Sequence, residues 1–159
     1  MSSKSCCNNS KTNITFTKCP KIKSWTADDE EVTLFSERIC LGPQRQIVID
    51  SIICAEISGL VTTEPNSSAT AYNNYKLYID DTKVSQSGFE AENDKYAPNL
   101  SSSSLMWGGH ISCKNCVTVV VTAQLYVTSP STSLVTSNIN NSIGSFRGTK
   151  EASLRVLLF

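Results

Sequence analysis

Residues 116–128 read Cys-Val-Thr-Val-Val-Val-Thr-Ala-Gln-Leu-Tyr-Val-Thr, and this stretch decides the fold class. Val117, Val119, Val121 and Val127 recur with Thr, Val120 and Tyr126 between them. β-Branched side chains are stiff at χ1 and pack well on a pleated surface, so the pattern predicts a strand. Working outward, residues 47–61 hold seven β-branched residues in fifteen, Ile47-Val48-Ile49 and Ile52-Ile53 among them, and predict a second strand. Val32 to Ile39 alternates apolar and polar, as does Tyr75 to Val84, which Asp80-Asp81 interrupts as a turn. Leu105-Met106-Trp107 reads as a short strand before a Gly108-Gly109 turn. Ala152 to Phe159 reads as a terminal strand with Arg155 facing out. No segment of useful length has a 3.6-residue period, and no fixed-period repeat is present. Short strands with polar turns predict an all-β protein, a jelly-roll β-sandwich, with a barrel or trefoil as the alternatives.

The connections are polar. Ser, Thr and Asn make up 51 of 159 residues, types that favour turns and exposed strands over helices. Residues 62–73 read as a loop, 85–104 as a surface loop or insertion, and 129–148 as a second Ser/Thr/Asn-rich connection. A length of 159 residues suits one domain and supports a real core. The expected division is a polar N-terminal connector arm at 1–18 and a single β-domain at 19–159. Within the arm, Asn13 to Thr17 alternates weakly and is expected to extend when a partner holds it.

Lys plus Arg and Asp plus Glu both number 14, so the formal net charge is zero. That argues against a nucleic-acid binder, which needs surplus cations for the phosphates, and against a polybasic membrane-surface protein. No run of about 20 apolar residues is present to span a bilayer. The first 13 residues, MSSKSCCNNSKTN, contain no apolar signal core.

Seven cysteines are an odd number, so at least one has no partner within the chain. Cys113-Lys-Asn-Cys116 has the spacing of half a zinc site, with Cys6, Cys7, Cys19, Cys40, Cys54 or His110 to complete it. A redox C-x-x-C belongs at a helix N-terminus, whereas this one precedes a strand. The plainer reading is a disulfide, or two free thiols, at a strand entrance. Cys40 ends a strand beside Gly42-Pro43 and is a candidate to bridge to Cys113 or Cys116. Cys54 sits in the apolar run Ile52-Ile53-Cys54-Ala55 and is expected to be a buried thiol. Cys6 and Cys7 differ in kind. Neighbouring cysteines rarely bond each other, and an extended segment points successive side chains in opposite directions, so the two suit different partners in other subunits.

The pattern Cys6-Cys7, then Cys19, then Ser24-Trp25-Thr26-Ala27 resembles the Ena-type endospore appendage subunits of Bacillus-group spores. The terminal segment Ser153-Leu-Arg155-Val-Leu157 is similar in type to the closing strand of that family. The motif match covers about the first 27 residues. The resemblance implies a small jelly roll that pairs sheet edges with neighbours and sends its connector into another subunit. It implies Cys6 and Cys7 as donors of intermolecular disulfides and Cys19 as one acceptor. The family's other acceptor lies in the last strand, where this chain has Glu151-Ala-Ser153 and no cysteine. Cys40, Cys54, Cys113 or Cys116 would then have to serve, or another protein. The longer connections at 85–104 and 129–148 make an accessory, ring-forming or anchoring subunit as fitting as a fibre subunit. Spore proteins are made in the mother-cell cytosol and oxidised later, which would explain many cysteines without a signal peptide. The implied location is the spore surface.

Other residues offer less. Asp28-Asp29-Glu30-Glu31 lacks the spacing of a calcium loop and reads as a solvated acidic turn, as does Asp80-Asp81. His110 and Ser112 lack a nucleophile elbow, so no catalytic residue is assigned. Trp25, Trp107, Tyr72, Tyr75 and Tyr78 would make a sugar platform only if the fold gathered them; core or rim positions are the expected ones. The sequence therefore predicts a non-enzymatic, self-assembling structural protein without a cofactor. Its partners would be its own copies and related appendage subunits. A monomeric carbohydrate- or protein-binding sandwich and a zinc-stabilised β-domain are the alternatives.

Overall fold

The structure, a computed structural model, describes residues 13–17, 19–43, 45–62, 68–92, 99–128, 134–139 and 151–159. Ten strands follow one another: β1 (Asn13–Thr17), β2 (Ser24–Thr26), β3 (Val32–Cys40), β4 (Gln46–Ser58), β5 (Thr70–Ile79), β6 (Thr82–Glu92), β7 (Asn99–His110), β8 (Cys116–Val127), β9 (Thr136–Asn138) and β10 (Ala152–Leu158). Among the described residues there is no helix, and so none long and apolar enough to cross a membrane. All strand pairs are antiparallel.

The strands form two sheets. In the first, the long β4 is the axis. β7 lies along one side of it, β10 and β9 follow end to end along the other, and β1 and β2 lie outside them. The second sheet has the order β3-β8-β5-β6. The core lies between the sheets and follows the period of two. Ile47, Ile49, Ile53, Ala55 and Ile57 point inward from β4, and Val117, Val119, Val121, Ala123 and Leu125 from β8. At β3 a bulge between Thr33 and Phe35 breaks the alternation, which lets the consecutive Leu34 and Phe35 both enter the core.

A polar bond chain crosses this core. Trp25 Nε1 donates to Asn73 Oδ1 at 3.2 Å, and Asn73 Nδ2 donates to Ser137 Oγ at 2.7 Å. The Trp25 indole also meets the Tyr75 ring edge-on at 6.3 Å between centroids. The short strands β2 and β9 are thereby tied to β5 in the opposite sheet.

The turn at Asp80-Asp81 is present, and both residues have positive φ, 46° and 67°. That is the backbone of a two-residue turn whose twist matches the hairpin β5–β6, and Asp tolerates it. The strand readings over 32–39, 47–61, 75–79 and 116–128 also find their counterparts in β3, β4, β5 and β8.

Several expected loops are strands. β6 runs through Glu92 and β7 starts at Asn99, so most of 85–104 is sheet. Each has one ladder partner, β5 for β6 and β4 for β7, and their outward faces do not require an apolar pattern. In the tetra-serine run, Ser103 is buried opposite Ile53, while Ser102 and Ser104 face out. Gly108-Gly109 is not a turn: β7 continues through both to His110. β5 begins at Thr70, inside the expected 62–73 loop, and β9 lies within 129–148. Asn13 to Thr17 is extended, as its alternation suggested, and it is β10 of its own chain that holds it.

Candidate functional site

The sequence singled out seven cysteines. Cys6 and Cys7 lie outside the described residues. The other five occupy distinct settings, and strand geometry decides each.

Cys40 ends β3 and Cys116 begins β8, directly opposite in register, and a disulfide joins them. Of the two bridges open to Cys40, the register selects Cys116. The C-x-x-C therefore cannot offer two thiolates to a metal while this bond stands. Among the described residues no group of three or more His, Cys, Asp or Glu is placed to hold a metal ion.

Cys113 is left as an exposed thiol on the connection between β7 and β8. Hydrogen bonds fix that connection on both sides. Ile111 N donates to Arg45 O at 2.8 Å, Arg45 Nη1 to Lys114 O at 2.9 Å, and Leu41 N to Asn115 O at 2.8 Å. Lys114 Nζ reaches Asp80 Oδ2 at 2.7 Å, and the Thr118 amide donates to Asp80 Oδ1 at 2.8 Å. The Lys114 ammonium and then the Thr118 amide hold the Asp80 carboxyl below its ordinary value of 3.8. Asp80 is thus a structural anchor, beyond its reading as a solvated turn. Beside Cys113 opens a cleft of about 350 Å³, walled by Ile79, Val84, Trp107 and Ile111, with His110 at its rim. His110 also borders a neighbouring cleft of about 500 Å³ that Phe159 lines.

Cys19 is an exposed thiol two residues past β1. Cys54 requires a correction. It is half-buried, and the period of two places it on the outer face of β4 with Asp50 and Glu56, opposite to the buried Ile53 and Ala55. An apolar run in a two-faced sheet does not put all of its members inside.

Trp25, Trp107, Tyr72, Tyr75 and Tyr78 are not gathered into a platform, and three of them take the expected core positions. Trp25 and Tyr75 are core residues, and Trp107 packs against the core. Tyr72 and Tyr78 face outward from β5 instead, and Tyr126 of β8 lies opposite Tyr72 with 41% of its surface exposed.

Two polar clusters escaped the sequence reading. Glu31, from the acidic turn, folds onto the outer face of the second sheet. It pairs there with Lys76, accepts from Tyr78 OH at 2.9 Å, and accepts from Thr122 Oγ1 at 2.6 Å. Burial raises the Glu31 carboxyl, but the Lys76, Thr122 and Tyr78 hydrogen bonds outweigh it, and the net shift is below 4.5. The available signal was parity: Lys76 and Tyr78 share a face, and Thr122 lies opposite Lys76. On the first sheet Arg155 pairs with Asp50 across β10 and β4. Its outer face also exposes Ile14, Phe16, Ile52 and Met106.

No protein-family model matches this chain, and no curated protein matches it.

Proposed function

We propose that the chain is a structural, self-assembling subunit, a jelly roll joined to its neighbours by sheet-edge pairing and intermolecular disulfides. Strand order supports the jelly roll. If β1 with β2 and β9 with β10 each count as one interrupted strand, there are eight strands in two four-stranded layers. Each strand then neighbours the partners expected of two interlocked Greek keys.

The observation that carries the assembly reading is Cys19, an exposed thiol two residues past β1, the strand that ends the order of its sheet. A strand at the end of a sheet can receive another strand, and a heterologous contact of that kind makes rings or filaments. A thiol beside such an edge can lock the contact covalently. The motif Cys6-Cys7, Cys19, Trp25 supports placing this subunit among Ena-type appendages at the spore surface, as a fibre, ring or anchor component. Its partners are other copies and related subunits, with no enzymatic role, nucleic acid or membrane. Oxidised assemblies should run as a ladder on non-reducing gels that reductant collapses. An unchanged ladder from a Cys6→Ala/Cys7→Ala variant would overturn the connector role.

The facing pair Tyr72 and Tyr126 favours one second reading, a carbohydrate-binding sandwich. It predicts a monomer whose tyrosine fluorescence changes with glycan. Fluorescence that does not respond to glycans removes this reading.

A further inference from the structure

The outer face of the first sheet carries two neighbouring rows that are complementary to their own reverse. The register aligns Phe16, Arg155, Asp50 and Met106 across β1, β10, β4 and β7. Two residues along, it aligns Ile14, Leu157, Val48 and Gly108. Strand parity turns all eight to the same side, away from the core.

The first row runs apolar, cationic, anionic, apolar. Phe16 and Met106 end it with 52% and 70% of their surface exposed. Arg155 Nε donates to Asp50 Oδ2 at 2.7 Å, yet about half of the Arg155 side chain still meets solvent. A guanidinium has five donors, so a second carboxylate can approach its outer side. The second row is bulky at one end and hollow at the other. Ile14 is 61% exposed, whereas Gly108 brings no side chain. A cleft of about 500 Å³ opens beside Gly108, bordered by Gln46, Val48, His110 and Phe159.

We propose that this face binds the same face of a second copy about a two-fold axis that runs between β10 and β4, parallel to them. Such an axis sets β1 against β7 and β10 against β4 across the contact. Arg155 of each copy then faces Asp50 of the other, and the four groups form a square of alternating charge. Phe16 meets Met106, and Ile14 enters the cleft at Gly108. An axis across the strands at this row would set Arg155 against Arg155 and Asp50 against Asp50, so the charges select the orientation. Twisted sheets pack face to face in this aligned manner, about 10 Å apart. The contact is isologous and closes at two copies. Sheet-edge pairing runs in the plane of the sheet and this contact perpendicular to it, so the inference goes beyond the assembly reading without resting on it.

The test uses the full chain carrying Cys6→Ala, Cys7→Ala, Cys19→Ala and Cys113→Ala, so that no covalent ladder intervenes. Analytical ultracentrifugation over a concentration series should show a rise from one-chain to two-chain mass. In this background Asp50→Arg and Arg155→Glu, each alone, set like charges across the contact, and both should stay at one chain. Mixed in equal amounts they should pair, one of each by native mass spectrometry, because each then offers the charges the other lacks. An ion pair that matters only within its own chain is not restored by mixing. Gly108→Leu should melt as the background chain does, since a Cβ there meets only Val48 Cγ2 at 3.6 Å and Ile47 O at 3.8 Å, yet it should lose the two-chain species. Met106→p-benzoylphenylalanine, in an equal mixture of light and heavy isotope chains, should photo-cross-link to residues 13–17 of the other copy and give mixed-label products. A background chain that stays at one-chain mass, a mixture that fails to pair, or a Gly108→Leu chain that still dimerises would overturn the proposal. So would cross-links confined to a single label, which would show that a segment of the same chain covers the face. The covalent ladder is read on the unsubstituted chain, so failure of one does not imply failure of the other.

Discussion

Cys40 and Cys116 are opposite residues at the ends of β3 and β8, and the disulfide between them closes a separation of 76 residues. It staples an edge strand to the strand that carries the centre of its sheet.

A loop of that length contributes about 4 kcal/mol in the chain-entropy description of disulfides. Cys40→Ser/Cys116→Ser should therefore lower the unfolding free energy by about 2–4 kcal/mol, read as a lower denaturant midpoint, with a steeper slope because the unfolded chain loses its cross-link. Chemical denaturation of the parent and variant measures it. Equal midpoints would mean that the bond adds nothing to folding.

Glu31 should make stability depend on acid. Its folded carboxyl titrates below the ordinary value of 4.5, so its contribution is complete above that pH and is lost as pH falls through the folded value. Asp80 acts in the same direction below 3.8. Lys76 runs the other way: its ammonium is raised above 10.5 by Glu31, so that contribution is lost only as pH climbs through the raised value. Melting temperatures of parent and Glu31→Gln between pH 3 and 7 should converge toward the acid end. Parallel curves would remove Glu31 from the pH response.

Gly59 has φ of 84°, and a Cβ there would lie 2.2 Å from the Leu134 carbonyl oxygen. The clash is with backbone, which cannot rotate away. Gly59→Ala should cost about 1–3 kcal/mol, since the left-handed conformation and the close approach both oppose it. Thermal unfolding reads the loss, and a neutral result would show that β9 can shift from β4.

Trp25→Phe should keep most of the apolar packing and remove the Nε1 bond to Asn73. The stranded Asn73 carbonyl, in a fully buried site, should cost about 1–3 kcal/mol. Trp25→Phe/Asn73→Leu should recover part of this in a double-mutant cycle. Purely additive losses would mean that the two residues do not act together.

The parts of the fold legible in sequence were those whose inward faces are β-branched. β8 and β4 announce themselves because Val117, Val119 and Val121, or Ile47, Ile49 and Ile53, repeat at period two. β6 and most of β7 do not, Leu105-Met106-Trp107 being the part of β7 that reads as a strand, because edge strands tolerate Ser, Gln and Glu outward and need only Phe89, Ala91, Leu105 and Trp107 inward. The candidate cysteines were visible as residues but not as a pattern of bonds. Only the register of β3 with β8 chooses Cys116 over Cys113 for Cys40, and only strand parity turns Cys54 outward. Glu31 was read as solvent-facing because its partners lie 45 and 91 residues away in sequence, and nothing local marks them.

Assembly through the N-terminal cysteines is tested most directly by non-reducing electrophoresis with electron microscopy of the oxidised full chain beside its Cys6→Ala/Cys7→Ala variant. A covalent ladder and ordered rings or filaments from the parent, both lost in the variant, are the expected result. A parent that stays monomeric after oxidation, or a variant that gives the same ladder, would contradict it.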